Sequence, residues 1–162
     1  MAVGLPLACS TLTTSVDYDH TTNFSQFHTF QLAEGRKDLN TFTQKRIDDA
    51  IATQLTSKGW QAVTENPNIF VYTHAVRGEV KQWNTTSMGG WGYYGWAAGM
   101  TTATETTIPT GTLVVDLVNS KNKGLVWRGT ASDLISPSGA EQGQIQDAVA
   151  ELFKGFPPQP GK

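Results

Sequence analysis

An apolar stripe near the C-terminus constrains the fold more than any other feature of the sequence. Its members recur at i, i+3, i+4, i+7, i+8 and i+11, the spacing of one face of an α-helix. They are Ile145, Ala148, Val149, Leu152, Phe153 and Phe156. The residues Ser-Gly-Ala-Glu at 138–141 have the form of a capping box ahead of this stripe, and Gly155 ends the helix. A helix with such a face must be buried against a second layer.

A second amphipathic helix is predicted at 41–58. Thr41 and Gln44 have the spacing of a capping box, in which each side chain satisfies a backbone amide at the helix start. The apolar positions that share one face of this helix are Ile47, Ala50, Ile51 and Leu55. Gly59 is placed to adopt the left-handed conformation that ends a helix, which lets Trp60 fold back on the last turn.

Alternating or β-branched segments predict the strands of a sheet. The predicted strands cover residues 12–20, 27–32, 69–76, 101–118 and 125–131. Residues 77–83 are expected to continue the strand at 69–76, and residues 119–124 to form a hairpin connection. The order of elements predicts an α+β fold. It is a two-layer sandwich in which an antiparallel or mixed sheet of about five strands has two helices packed on one face.

The hairpin around residues 119–124 places particular side chains together. Asp116 falls beside Arg128 and is expected to form a cross-strand ion pair with it, worth a fraction of a kcal/mol if exposed. Trp127 is expected in the core against the C-terminal helix.

The charge balance excludes one class of partner. The 162 residues carry a net charge of -2, so the chain lacks the excess of cations that binds a phosphate backbone, and no nucleic acid is expected as a partner. Only 16% of residues are charged, a composition common in secreted and envelope β-rich proteins. No apolar run approaches the roughly 18 residues that span a bilayer.

The single cysteine, Cys9, ends an apolar segment and directly follows Ala8. This order is similar to a bacterial lipobox, in which a peptidase cuts before a cysteine that then carries lipid. Pro6 stands where that pattern prefers an aliphatic residue, and an incidental cysteine near the terminus is the alternative. We therefore divide the chain into a signal-peptide remnant with a lipobox-like cysteine (1–9), a single α+β domain (10–158) and a polar tail (159–162).

Several short motifs in a fixed order resemble one protein family. They lie at residues 16–19, 24–30, 55–60, 66–71, 111–113, 125–129 and 156–158, and the most specific is Val-Trp-Arg-Gly at 126–129. In this order they resemble the bacterial envelope lipoproteins grouped as domain of unknown function 4136. Asn68 departs from the Asp expected after Asn-Pro, which puts in doubt any role for an acid there.

The resemblance implies a location and an anchor. It implies an outer-membrane lipoprotein of the bacterial cell envelope that faces the periplasm or the surface, with Cys9 as the lipidation site and the membrane as a partner. It supplies no catalytic residue, because the family has no established chemistry.

The segment 83–100 is rich in glycine and aromatic residues. It holds three of the five tryptophans and two of the four tyrosines: Trp83, Trp91, Tyr93, Tyr94 and Trp96. One interpretation is a contact surface for a lipid headgroup boundary, a sugar ring or an envelope protein, because Trp and Tyr combine apolar area with a polar tip. The alternative is a long hairpin whose rings pack back on the sheet.

Catalytic and metal-binding patterns are absent from the sequence. His20, His28 and His74 lack metal-binding spacing, although any of them could meet Asp17 or Asp19 in space. No catalytic residue, metal or cofactor is therefore expected. The prediction is a non-enzymatic envelope lipoprotein with a binding or assembly domain that makes contact through 83–100. The alternative is a periplasmic small-ligand-binding or weakly hydrolytic domain that uses this segment as a lid.

Overall fold

The structure, a computed structural model, describes residues 12–34, 39–76, 80–84, 104–108, 111–135 and 139–159. The helices are α1 (Thr41–Ser57) and α2 (Gln142–Leu152). The strands are β1 (Thr13–Tyr18), β2 (Thr29–Leu32), β3 (Gln61–Ala62), β4 (Ile69–Val76), β5 (Val80–Asn84), β6 (Thr104–Ile108), β7 (Thr112–Asn119) and β8 (Leu125–Ser132).

Six of the strands form one mixed sheet in the order β1-β8-β7-β4-β2-β3. β2 pairs in parallel with both β3 and β4, whereas the other pairs are antiparallel. β5 and β6 form a separate two-stranded antiparallel sheet. The predicted α+β class is confirmed. The main sheet has six strands, one more than the five expected, because the two-residue β3 is too short to leave a sequence pattern.

The main sheet has two faces of different character. We call the face that meets both helices the first face. Its buried side chains include Ile69, Val71, Ala75, Leu113, Val115, Leu117, Trp127 and Ala131. They belong to one hydrophobic cluster with Ile47, Ile51 and Leu55 of α1 and Ile145, Val149 and Leu152 of α2. The predicted apolar stripes of both helices are therefore the faces that bury the core, and neither described helix has the length and apolarity to cross a bilayer.

The start of α1 differs in detail from the prediction. Asn40, not Thr41, is the N-cap, and its side chain accepts a hydrogen bond from the Thr43 amide at 2.8 Å. The amide side chain of Gln44 instead donates to Asp48 and to the Thr73 hydroxyl of β4, both at 2.8 Å. The capping-box prediction was wrong because Asn40 lies one position earlier and Asn is a stronger N-cap residue than Thr.

The other end of α1 matches its prediction. Gly59 has a φ of 89°, and its amide donates to the Thr56 carbonyl while the Trp60 amide donates to that of Leu55. These two bonds satisfy carbonyls that the helix leaves open. Trp60 is buried as a result and packs its ring 5.2 Å from that of Phe156.

Two boundaries outside α1 were also mispredicted. α2 begins at Gln142 with Glu141 as its N-cap, and Glu141 makes no side-chain capping bond, so the proposed capping box is wrong for Glu141. Ser138 lies outside the described residues.

The region expected to extend β4 instead contains β5, which pairs with β6 rather than with the main sheet. Alternation predicts an extended chain but not the strand with which it pairs.

The Val-Trp-Arg-Gly motif packs β8 against the C-terminal end of α2. The Trp127 ring stacks on Phe153 with centroids 4.8 Å apart, which confirms the predicted burial of this tryptophan. A Cβ atom at Gly129 would lie 2.6 Å from the Trp127 ring and 3.1 Å from Leu152. Glycine is therefore required at 129 because the indole lies over that position.

Phe153→Ala should lower the free energy of unfolding by about 3–5 kcal/mol, since Phe153 is fully buried between Trp127 and Phe156. Phe42→Ala, at a position 77% exposed on α1, is the matched control and should change it by no more than about 0.5 kcal/mol. Denaturant titration measures both. A loss below about 1 kcal/mol for Phe153→Ala would show that this face of α2 does not carry the core.

Candidate functional site

The predicted contact segment begins in β5. Trp83 lies on this strand, where its backbone pairs with Glu105 of β6. Trp91, Tyr93, Tyr94 and Trp96 lie outside the described residues, as does Cys9.

The segment belongs to a long connection between two neighbouring strands. β4 and β7 pair antiparallel along their whole lengths, from Ile69 opposite Asn119 to Val76 opposite Thr112. The Gly111 amide donates to the Val76 carbonyl at 2.7 Å and continues this ladder by one bond. Two antiparallel neighbours need only a two-residue turn. We call residues 77–110, which stand in place of such a turn, the insertion.

The insertion leaves the sheet at a defined end. β1 begins there as well, because Thr13 pairs with Ser132 at the end of β8, and β8 in turn lies beside the start of β7. We call this the insertion end, formed by Thr13, Val76, Thr112 and Ser132. The opposite end of the sheet holds Tyr18 and Trp127, which pair with each other, and we call it the aromatic end.

The sheet face turned away from both helices, the second face, carries a charged pair. The Arg128 Nε donates to Asp116 Oδ1 at 2.6 Å and its Nη2 to Oδ2 at 2.8 Å. The side chains are only 12% and 6% exposed, respectively. The predicted pair is confirmed, but it is a buried bidentate pair, not an exposed one. Loss of one partner therefore lowers the free energy of unfolding by more than the fraction of a kcal/mol expected for an exposed pair.

Aromatic residues of β4 continue this second face, a feature that sequence reasoning missed. Tyr72 lies opposite Asp116 in the register of β4 and β7, and burial raises the pKa of its hydroxyl above 10.0. Its ring lies 6.3 Å from that of Phe70, over which the Lys123 ammonium sits at 5.2 Å. The sequence pattern could have predicted this, because every second residue of a strand faces the same side, so Phe70 and Tyr72 share one face.

Asn68 has a structural role. Its side-chain oxygen accepts hydrogen bonds from the backbone amides of His28 and Thr29, at 2.9 and 3.2 Å. Its own amide donates to the Thr29 hydroxyl at 2.9 Å. Asn68 thus fixes the start of β2 against the start of β4, and an Asp side chain could accept the same two bonds.

The histidines form no candidate metal centre in the described ranges. No group of three or more His, Cys, Asp or Glu side chains there could hold a metal ion. Burial of Asp19 tends to raise its pKa, but hydrogen bonds from Thr21 and Thr22, together with the nearby His20, bring the pKa below 3.8. Asp19 therefore organises the turn after β1.

The family comparison matches nearly the whole domain. A family model described as domain of unknown function (DUF4136) matches residues 14–158. No curated protein matches the chain significantly.

Solved structures share the fold at low sequence identity. A DUF4136 family protein from Bacteroides thetaiotaomicron is 20% identical with a TM-score of 0.65, and the match covers 90% of this chain and 96% of that one. A PDZ domain protein from Parabacteroides distasonis is 14% identical with a TM-score of 0.57, and the match covers 91% of this chain but 35% of that one. PelC from Paraburkholderia phytofirmans, described as a dodecamer, is 11% identical with a TM-score of 0.50 and coverages of 87% and 96%.

Asp116→Ala should lower the free energy of unfolding by about 3–5 kcal/mol, because it leaves Arg128 buried without its carboxylate partner. Asp49→Ala is the matched control. It removes the exposed i,i+4 pair with Lys45, in which both side chains are more than half exposed, and should cost at most about 0.5 kcal/mol. Equal effects of the two variants in a urea titration would contradict the structural role of the buried pair.

Proposed function

The chain belongs to the DUF4136 family, and from that premise we propose that it is an envelope-anchored bacterial lipoprotein with a non-enzymatic binding or assembly domain. In this proposal Cys9 carries the lipid anchor and the aromatic segment 83–100 makes the contacts. The location is the outer membrane, with the domain facing the periplasm or the surface. The partner is an envelope component, either a protein, a glycan or the membrane itself.

The insertion is the observation that carries the proposal. β4 and β7 are fully paired and their ladder is continued by Gly111, so a turn of about two residues could connect them in place of residues 77–110. Connections of this length are uncommon in a compact domain, and binding residues lie disproportionately on such connections. This one contains Trp83, Trp91 and Trp96, whose rings suit molecular contact more than exposure to water.

The described polar groups support binding over catalysis. Asp116 and Arg128 are engaged with each other, Asn68 joins two strands, and Asp19 organises a turn. Each of these side chains is engaged in a structural interaction, which favours a binding role in this proposal.

The comparison with PelC supports an assembly role. That protein is described as a dodecamer, and it shares the fold of this chain at a TM-score of 0.50. A domain of this architecture is thus compatible with a place in a larger envelope assembly.

Cys9→Ala tests the anchor. When the complete precursor is expressed in a bacterium that processes lipoproteins, the wild-type protein should be found in the membrane fraction, and Cys9→Ala should be released or remain unprocessed. The unfolding midpoint should be unchanged, because Cys9 precedes the first strand. Equal membrane partition of the two proteins would contradict the anchor.

The triple variant Trp91→Ala, Tyr94→Ala, Trp96→Ala tests the contact segment. If these rings form a contact surface, the denaturant midpoint should stay close to the wild-type value, since exposed substitutions change stability by no more than about 0.5 kcal/mol each. Binding to envelope protein, isolated glycan or lipid vesicles should be lost. The control Trp60→Ala should cost about 3–5 kcal/mol, because Trp60 is buried against Phe27 and Phe156.

A large fall in the midpoint of the triple variant with no loss of binding would contradict the contact surface and favour rings packed on the sheet. A small ligand that raises the unfolding midpoint of the wild-type protein but not that of the triple variant would favour the alternative, in which this segment is a lid over a ligand site.

A further inference from the structure

The six-stranded sheet has two edges of very different length. β3 forms one edge and has two residues, whereas β1 forms the other edge and has six. An edge strand presents unpaired backbone amides and carbonyls to any other strand, and a very short edge strand is one of the devices that prevent such pairing. The edge at β1 lacks this protection.

The outer side of β1 is open in the part of the chain that the structure describes. No described strand pairs with it, and Val16 in its middle is 44% exposed. β1 contains neither Lys nor Pro, and its register with β8 is continuous, without a bulge. Asp17 is its one charged residue. Few of the features that normally block the edge of a sheet are therefore present in this strand.

The hydrogen bonds to β8 indicate which residues of β1 face outward. The Asp19 amide donates to the Val126 carbonyl at 2.9 Å, directly after the register of β1 with β8. Since bonded and non-bonded pairs alternate along an antiparallel ladder, Ser15 and Asp17 also bond to β8. The residues whose amides and carbonyls point away from β8 are Thr14, Val16 and Tyr18.

The Tyr18 amide agrees with this assignment. It donates to Oδ1 of Asp17 at 2.9 Å, so the neighbouring side chain satisfies an amide that the sheet leaves open. The amides of Thr14 and Val16 have no such side-chain acceptor among the described residues. These two donors are available to a further strand.

The outward-facing residues of β1 match those of a second copy. An antiparallel pair of identical strands has two-fold symmetry, the commonest symmetry of dimers. The one antiparallel register that pairs all three outward residues puts Val16 opposite its own copy and Thr14 opposite Tyr18, and it forms about six backbone hydrogen bonds. In this register Asp17 falls opposite Ser15 of the second copy and not opposite a second carboxylate. β1 is therefore complementary to itself.

We propose that two copies of the chain pair antiparallel through β1 and join their sheets into one continuous sheet. This inference rests on the proposed assembly role and names a second copy of the chain as the partner. A second copy is favoured over an unrelated strand because one register satisfies the backbone groups, brings Val16 against Val16 and keeps the charges apart.

The test measures the association of the full chain without lipid, in reducing buffer so that Cys9 cannot link two copies. A pair of six-residue strands is a small interface, of the class that forms weak complexes, so sedimentation equilibrium should extend from about 5 to about 500 µM protein. We expect a reversible equilibrium between monomer and dimer over this range.

Val16→Lys should weaken the dimer at least about tenfold, because two like charges would then lie directly opposite each other. Val16→Glu should weaken it in the same way. An equimolar mixture of these two variants should form a heterodimer at least as tight as the wild-type dimer, which also shows that both variants fold. Phe42→Lys is the control at a position 77% exposed on α1, and it should leave the association unchanged.

Three results would overturn the proposal. They are a wild-type chain that stays monomeric at the highest concentration, an unchanged dissociation constant for Val16→Lys, and a mixture of the two charged variants that does not associate. A chain that binds a strand of another protein but not its own copy falls under the first of these results.

Amide hydrogen exchange tests the strand pairing itself. The amides of Thr14 and Val16 should exchange at least about tenfold more slowly in the dimer than in the monomer, since they gain acceptors only on pairing. The amides of Ser15 and Asp17 bond to β8 in both states and are the internal control. A dimer without this alternating protection would use another surface, and the proposal would then be wrong.

The result is independent of the anchor and of the aromatic segment. If the protein from the complete precursor is absent from the membrane fraction, the anchor at Cys9 fails while the strand pair still stands. If it is found there and binds through 83–100 but stays monomeric, only the present inference fails.

Discussion

The packing of aromatic rings around Phe156 is the interaction on which the rest of the fold depends. The Phe156 ring contacts those of Phe24, Trp60, Trp127 and Phe153, with centroids 5.2–5.9 Å apart. These partners come from the turn after β1, the end of α1, the sheet and the end of α2. One side chain thus ties both layers of the sandwich together, and edge-on aromatic contacts of this kind contribute beyond the apolar area they bury.

This aromatic cluster lies at one end of the sheet, and the insertion is connected at the other. Trp127 and Tyr18 mark the end of the sheet at which the cluster lies, whereas the insertion is connected at Val76 and Thr112, at the opposite end. The two points at which the insertion is connected are therefore at the end of the sheet away from the Phe156 cluster. Such a separation allows a connection to vary in length and composition without loss of the core.

Local patterns predicted the helices well and the strand partners poorly. The stripe that includes Val149 and Phe153 and the helix-ending Gly59 were confirmed, because helix periodicity and capping depend on residues close in sequence. The separate pairing of β5 with β6 was missed, since alternation is the same whichever strand is the partner. The pair Asp116 and Arg128 was placed correctly by the hairpin register, but its burial depends on what packs on the second face, which pairing alone does not specify.

That buried pair connects the register of the sheet with the position of the insertion. A slip of one residue between β7 and β8 would move Arg128 to the first face, among the apolar side chains, and would separate it from Asp116. The cost of an unpaired buried charge disfavours such a slip, although the pair itself adds little net stability over apolar residues of similar size. The start of β7 at Thr112 is the point at which the insertion rejoins the sheet, so a fixed register also fixes that point relative to β8. The charged pair therefore constrains, relative to β8, the strand at which the insertion rejoins the sheet.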